Sequence, residues 1–201
     1  MTSQTKQLRI DSKRELRQTQ KQRPGESQTF DQCQTPIYAL DPLLPYLRKD
    51  WIIWESAAGD GNLAQGLMDS GLKVIATDIL EGQNFFTYKP PIFNVQVTNP
   101  PYSIKLDWLK RSYEISKSFA LLLPVELLGV GAAQKLFEQY GIEVILLNKR
   151  VNFQTVNTTF SKSNAWFPTA WYTWGLNIGQ PISYGKLVKR PDSQMPLRLA
   201  A

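Results

Sequence analysis

Histidine is absent from the 201 residues, and cysteine occurs once, at Cys33. Those two shortages exclude a zinc site of the Cys/His kind and a histidine-based catalytic triad. A lone thiol leaves no disulfide within the chain, which suits a reducing compartment. Long apolar runs are also missing. The most apolar segment, 119–133, is interrupted by Pro124 and Glu126 and falls short of the roughly 20 residues that a membrane span needs. The polar, basic start has none of the apolar stretch of a secretory signal. The expectation is a soluble, cytoplasmic protein with no membrane partner.

What is present points to one domain large enough to bury a proper core. Lys and Arg number 23 against 17 Asp and Glu, a net charge of +6. Such a balance leans toward a polyanionic partner, although a soluble protein with mildly basic tails would carry it too. Residues 1–32 are rich in Gln, Ser, Thr, Lys and Arg and almost lack large apolar side chains, so they read as a flexible basic arm. Its cations, Arg9, Arg14 and Arg17 among them, would either touch phosphates or keep the chain in solution; the second is favoured because Asp11, Glu15, Glu26 and Asp31 dilute the charge. The domain proper spans 33–178. Residues 179–201, with Pro181, Pro191 and Pro196, read as an extended tail.

Within the domain, apolar strands alternate with amphipathic helices. Residues 35–47 form short helical pieces broken by Pro42 and Pro45. A strand follows at 51–55, a helix at 62–70 stopped by Gly71, and a second strand at 73–77 ending on Asp78. Further strands are expected at 92–98, 118–123, 142–147 and 165–175, helices at 104–116 and 128–140, and a polar loop at 149–164. This is the pattern of an α/β fold, a doubly wound and mostly parallel sheet covered on both faces.

Two stretches carry chemistry. In the first, Trp54-Glu55-Ser56-Ala57-Ala58 runs into Gly59-Asp60-Gly61-Asn62-Leu63-Ala64, a match to G-x-G-x-x-A. The first glycine permits the tight turn, the second lets a ligand approach the backbone, and the small last residue lets the helix pack close to its strand. Asp78 lies 19 positions beyond Gly59, where its carboxylate can accept both hydroxyls of a ribose. A dinucleotide would use the same turn. Glu55 separates the two ligands, because an acid at the start of the loop repels a pyrophosphate and suits a cofactor with a cationic amino-acid end, such as S-adenosylmethionine.

The second stretch is Thr98-Asn99-Pro100-Pro101-Tyr102. Two prolines stiffen the backbone after Asn99, so that the Asn99 side-chain oxygen and the Pro100 carbonyl can both accept from one planar NH₂ group. Two acceptors on such a group leave its nitrogen lone pair free to attack a methyl sulfonium. Tyr102 offers a ring on which the base or amide bearing that amine can stack.

Together these residues resemble the class I S-adenosylmethionine-dependent amino-methyltransferases, most closely the DNA adenine-N6 methyltransferases of phages and restriction systems. Thr35-Pro36 is similar to that family's N-terminal cofactor motif. The resemblance covers about 33–176 and implies a Rossmann-like seven-stranded sheet whose last strand, near 165–175, runs antiparallel. It also implies roles. Glu55, Gly59 and Gly61 would hold the methionine end of the cofactor and Asp78 its ribose, with Thr35, Pro36, Ser56, Ala57 and Ile79 also binding the cofactor. Asn84 and Phe85 stand where the family often has Asp-Phe, so Asn84 would accept from the adenine amine without a charge. Asn99, Pro100, Pro101 and Tyr102 would act on the substrate amine.

DNA is the favoured substrate, with the target base swung out of the stack. RNA or a protein glutamine amide presents the same NH₂ to the same acceptors. A catalytically inactive nucleic-acid-binding subunit and an NAD-dependent oxidoreductase are the remaining alternatives; the latter would leave Asn99 to Tyr102 without a task. The chain has no room for a separate recognition domain, so sequence specificity is expected to be short or loose, or to come from a second copy or a partner.

Overall fold

The computed structural model describes residues 33–155 and 167–188. The expectations for 1–32, 189–201 and most of the 149–164 loop lie outside those residues. Two sheets are formed. The small one pairs β1 (Cys33–Gln34) antiparallel with β7 (Gln154–Thr155).

The large sheet contains β2 (Ile52–Glu55), β3 (Lys73–Ala76), β4 (Val95–Thr98), β5 (Phe119–Pro124), β6 (Glu143–Leu147), β8 (Thr169–Trp174) and β9 (Ile182–Gly185), in the order β3-β2-β4-β5-β8-β6-β9. All neighbouring pairs are parallel except the two that β8 makes, with β5 and with β6. The helices are α1 (Asn62–Asp69), α2 (Lys105–Ile115) and α3 (Gly131–Tyr140). This is the doubly wound α/β sheet that the alternation predicts, with the antiparallel strand where the resemblance put it.

Burial explains the order. β5 is apolar throughout and buried throughout, which requires cover on both faces of the sheet. One face packs Leu40, Leu43, Ile53, Leu67 and Trp171, the other Trp54, Leu109, Phe119 and Tyr172. Each such side chain contributes about 1.5–3 kcal/mol by leaving water. The segment at 35–47 folds into two single tight turns, Ile37–Leu40 and Leu44–Tyr46, and seals the first core. No helix among the described residues is long and apolar enough to cross a membrane.

One element departs from the expectation. The segment beyond 179, read as an extended tail, contains β9, which pairs parallel with β6 from Val144↔Ile182 to Leu147↔Gly185. Consequently β8 is not the last strand of the chain.

Candidate active site

β3 and β4 lie on opposite sides of β2, so consecutive connections leave the carboxyl end of β2 in opposite directions. A crevice opens where they diverge, the place where open α/β sheets bind ligands. Here it is a cavity of about 430 Å³, walled on one side by the loop after β2 and on the other by the turn after β4.

Glu55 ends β2 and is 1% exposed. Its Oε1 accepts from the Ala57 backbone N–H at 3.0 Å and from the Thr98 hydroxyl at 2.5 Å, which ties the end of β2 to the end of β4. Its Oε2 is buried with no hydrogen-bond partner among the described residues. Burial pushes the carboxyl up to about 8; the bonds from Thr98 and Ala57 hold it down in part, and the charge of Asp78 adds to the rise. A ligand cation placed here would be met by a carboxylate with a spare acceptor.

The loop that follows takes left-handed backbone at Gly59 (φ 54°) and Gly61 (φ 88°), which glycine adopts without steric cost. Its backbone donors from Ala57 to Gly61 are all engaged. Ala57 N–H goes to Glu55, Ala58 N–H to the Thr77 carbonyl, Gly59 N–H to Asp78 Oδ2, Asp60 N–H to Gln34 Oε1 and Gly61 N–H to the Ala58 carbonyl. An anion cradled by this loop would have to displace an internal bond from each amide it used, so the turn is built for close approach rather than for phosphate.

Asp78 therefore has a second task. Its two oxygens accept from Gly59 and from Leu80, at 2.7 and 2.9 Å, and each retains a lone pair for a hydroxyl. Asn84 Oδ1 accepts from the Phe86 backbone N–H at 3.0 Å, which leaves one lone pair of that oxygen for a ligand donor. That local turn is the usual fate of an asparagine two residues before a free N–H.

The far wall is aromatic. Phe85 stacks on Trp108 at 4.0 Å with 8° between the rings, and Phe86 meets Trp108 edge-on at 5.6 Å. This gives the cavity a flat apolar end suited to a planar ring.

At the end of β4, Asn99 and Pro101 line the cavity. Asn99 Oδ1 is buried and accepts no hydrogen bond from the described residues, a placement that costs free energy unless something outside the chain donates to it. Tyr102 stands just beyond, with Phe153 edge-on at 6.3 Å and Phe167 at 5.7 Å.

Eleven of the residues singled out in the sequence line one cavity: Thr35, Glu55, Ser56, Ala57, Gly59, Asp78, Ile79, Asn84, Phe85, Asn99 and Pro101. Pro36, Gly61, Pro100 and Tyr102 do not line it. Sequence reading missed Gln34, Leu80, Phe86, Ile104 and Trp108, which do, and the two rings against Tyr102. Trp108 lies within the helix expected at 104–116, where an aromatic residue on a buried face carries no signal of a ligand. No cluster of metal-ligating side chains occurs among the described residues.

No family model and no curated protein matches the chain. Among solved structures it is similar to the methyltransferase subunit of a type I restriction-modification system from Streptococcus thermophilus, at 15% identity and TM-score 0.49, over 77% of this chain and 47% of that one. A modification subunit of a putative type I restriction enzyme from Vibrio vulnificus gives 11% and 0.49, over 93% and 52%. A putative RNA methyltransferase from Pyrococcus horikoshii gives 13% and 0.43, over 68% and 80%. The chain thus spans about half the length of the two restriction-system subunits. The likeness is one of fold, and the chemistry of the cavity stands on its own side chains.

Proposed function

We propose that this chain transfers a methyl group from S-adenosylmethionine to the exocyclic amine of a nucleic-acid base, adenine N6 in DNA. The observation that carries the proposal is the placing, on one cavity, of two buried acceptors without partners among the described residues: Glu55 Oε2 at the end of β2 and Asn99 Oδ1 at the end of β4.

The cofactor fits the residues present. Glu55 would take its ammonium group, Asp78 its ribose hydroxyls, and Ile79 with the Phe85–Trp108 wall its adenine. A dinucleotide fits less well, since each amide from Ala57 to Gly61 is already engaged. When bound, S-adenosylmethionine supplies an electrophilic methyl on a sulfonium centre. The chain supplies the rest. Asn99 Oδ1 accepts one hydrogen of the incoming NH₂ and the Pro100 carbonyl the other, which draws the hydrogens away from the nitrogen lone pair and orients it. Pro100 and Pro101 hold that geometry by fixing the backbone. Tyr102 would stack on the extruded base.

The basic balance of the chain favours a nucleic acid over a protein amide, and the resemblance of Thr35-Pro36 to the motif of the DNA-acting family, with Thr35 in the cavity wall, favours DNA over RNA. The test is a transfer assay with labelled S-adenosylmethionine on unmethylated DNA, RNA and a protein extract. Label in N6-methyladenine of DNA is the expected result. Label confined to RNA or protein would move the substrate, and no label with any of the three would leave only a binding module.

A further inference from the structure

The addition of β9 to the sheet brings three cations together at its carboxyl edge. Asn148 follows β6; its backbone N–H donates to the Gly185 carbonyl at 3.0 Å, and its Oδ1 accepts from the Leu187 backbone N–H at 2.9 Å. The two strand ends are therefore locked side by side, about one strand spacing (~4.8 Å) apart. Lys149 and Arg150 leave one of them and Lys186 the other, and all three are exposed. None has an acidic partner among the described residues, where the ion pairs are Arg48–Asp50, Lys105–Glu126 and Arg111–Glu114.

The position of this cluster matters as much as its charge. β6 and β9 run parallel to β2 and β4, so the cations lie on the edge of the sheet where the cavity opens. The chain then turns inward. Val151 is fully buried, the Asn152 N–H donates to the Tyr38 hydroxyl at 2.9 Å, and Phe153 meets Tyr102. Arg150 is thereby at most ~11 Å along the chain from a ring that touches Tyr102, and a nucleic-acid strand presents a phosphate every ~3.4 Å.

We propose that Lys149, Arg150 and Lys186 form a phosphate shelf that holds the backbone of the strand carrying the target base, a few nucleotides from that base. The inference rests on the nucleic-acid reading above and adds the surface by which the strand is held. Such contacts position a strand without reading its sequence, in keeping with the short or loose specificity expected of the chain.

The test is the charge-reversal variant K149E/R150E/K186E of the full chain. Its control is K73E/K117E/K135E, which changes the net charge equally at exposed sites away from this edge. Affinity for an unmethylated 20-mer DNA duplex is read by fluorescence anisotropy between 50 and 200 mM salt, and affinity for S-adenosylhomocysteine by calorimetry. The shelf variant should bind DNA about ten-fold or more weakly, and its salt slope should drop by ~2–3, about 0.9 per lost phosphate contact. Its S-adenosylhomocysteine affinity and its kcat at saturating DNA should match wild type. A wild type that methylates DNA while the shelf variant and the control have the same slope and affinity would overturn the shelf alone. A wild type that methylates only protein would overturn the shelf together with the nucleic-acid reading.

Discussion

Glu55→Gln separates the two states of the buried carboxyl. In the free protein the group titrates near 8 against an ordinary 4.5, so between those values the folded chain keeps a proton that the unfolded chain has released. Stability must then fall as pH rises through that window. Worked from the two values, the loss between pH 5 and pH 8 is about 3 kcal/mol, or roughly 6–12 °C in Tm for a chain of this size. The amide of the variant would resemble the protonated acid in shape and carry no titration. The difference in Tm, variant minus wild type, should therefore widen by that amount from pH 5 to pH 8 when followed by circular dichroism. Binding should move the other way. An ammonium group would hold Glu55 ionised, so wild type should release close to one proton on binding S-adenosylhomocysteine at pH 7. The release is measured by calorimetry in buffers of different ionisation enthalpy. The variant should release none and bind ~10–100-fold more weakly, the worth of a charged hydrogen bond. A Tm difference that stays flat with pH, or equal proton release in both proteins, would refute the reasoning.

Three further outcomes follow from the same geometry. Asn99→Ala should lower kcat by ~10²–10³ and leave S-adenosylhomocysteine affinity within about two-fold, as steady-state kinetics and calorimetry on one preparation would show. Thr98→Val removes one of the two donors to Glu55 Oε1, so the carboxyl should rise further and ligand affinity should fall about five-fold; an unchanged affinity at pH 7 would mean that Thr98 only supports the strand. Gln96 is fully buried on β4, donating to Ser56 Oγ at 2.8 Å and accepting from Ser116 Oγ at 3.1 Å. Gln96→Leu should cost ~2–3 kcal/mol in urea unfolding because it strands two hydroxyls, and adding Ser56→Ala and Ser116→Ala should recover most of it.

How much of this was legible in the sequence depended on whether polarity tracked burial. Phe119–Pro124 is apolar and wholly buried, and Ile52–Glu55 runs into its glycine turn, so the sheet and the first loop could be read directly. β9 could not, because its pattern is inverted. Ile182 and Tyr184 face outward at 49% and 83% exposure, while Ser183 and Gly185 face inward. At Gly185 the cause is space: a Cβ there would lie 2.5 Å from Pro42 Cβ and 2.9 Å from Ile145 Cγ2, so that position has no room for a larger side chain. The candidate site divides in the same way. Glu55, Asp78 and Asn99 were legible because each stands at a strand end, where chemistry of that kind is placed. The engagement of Asp78 by Gly59, the local turn that takes Asn84 Oδ1, and the arrival of Phe153 beside Tyr102 depend on neighbours 19, 2 and 51 positions away. Only the shortest of these lies within the reach of local pattern. Even there, asparagine's ability to serve either its own backbone or a ligand leaves the outcome to the geometry of the loop.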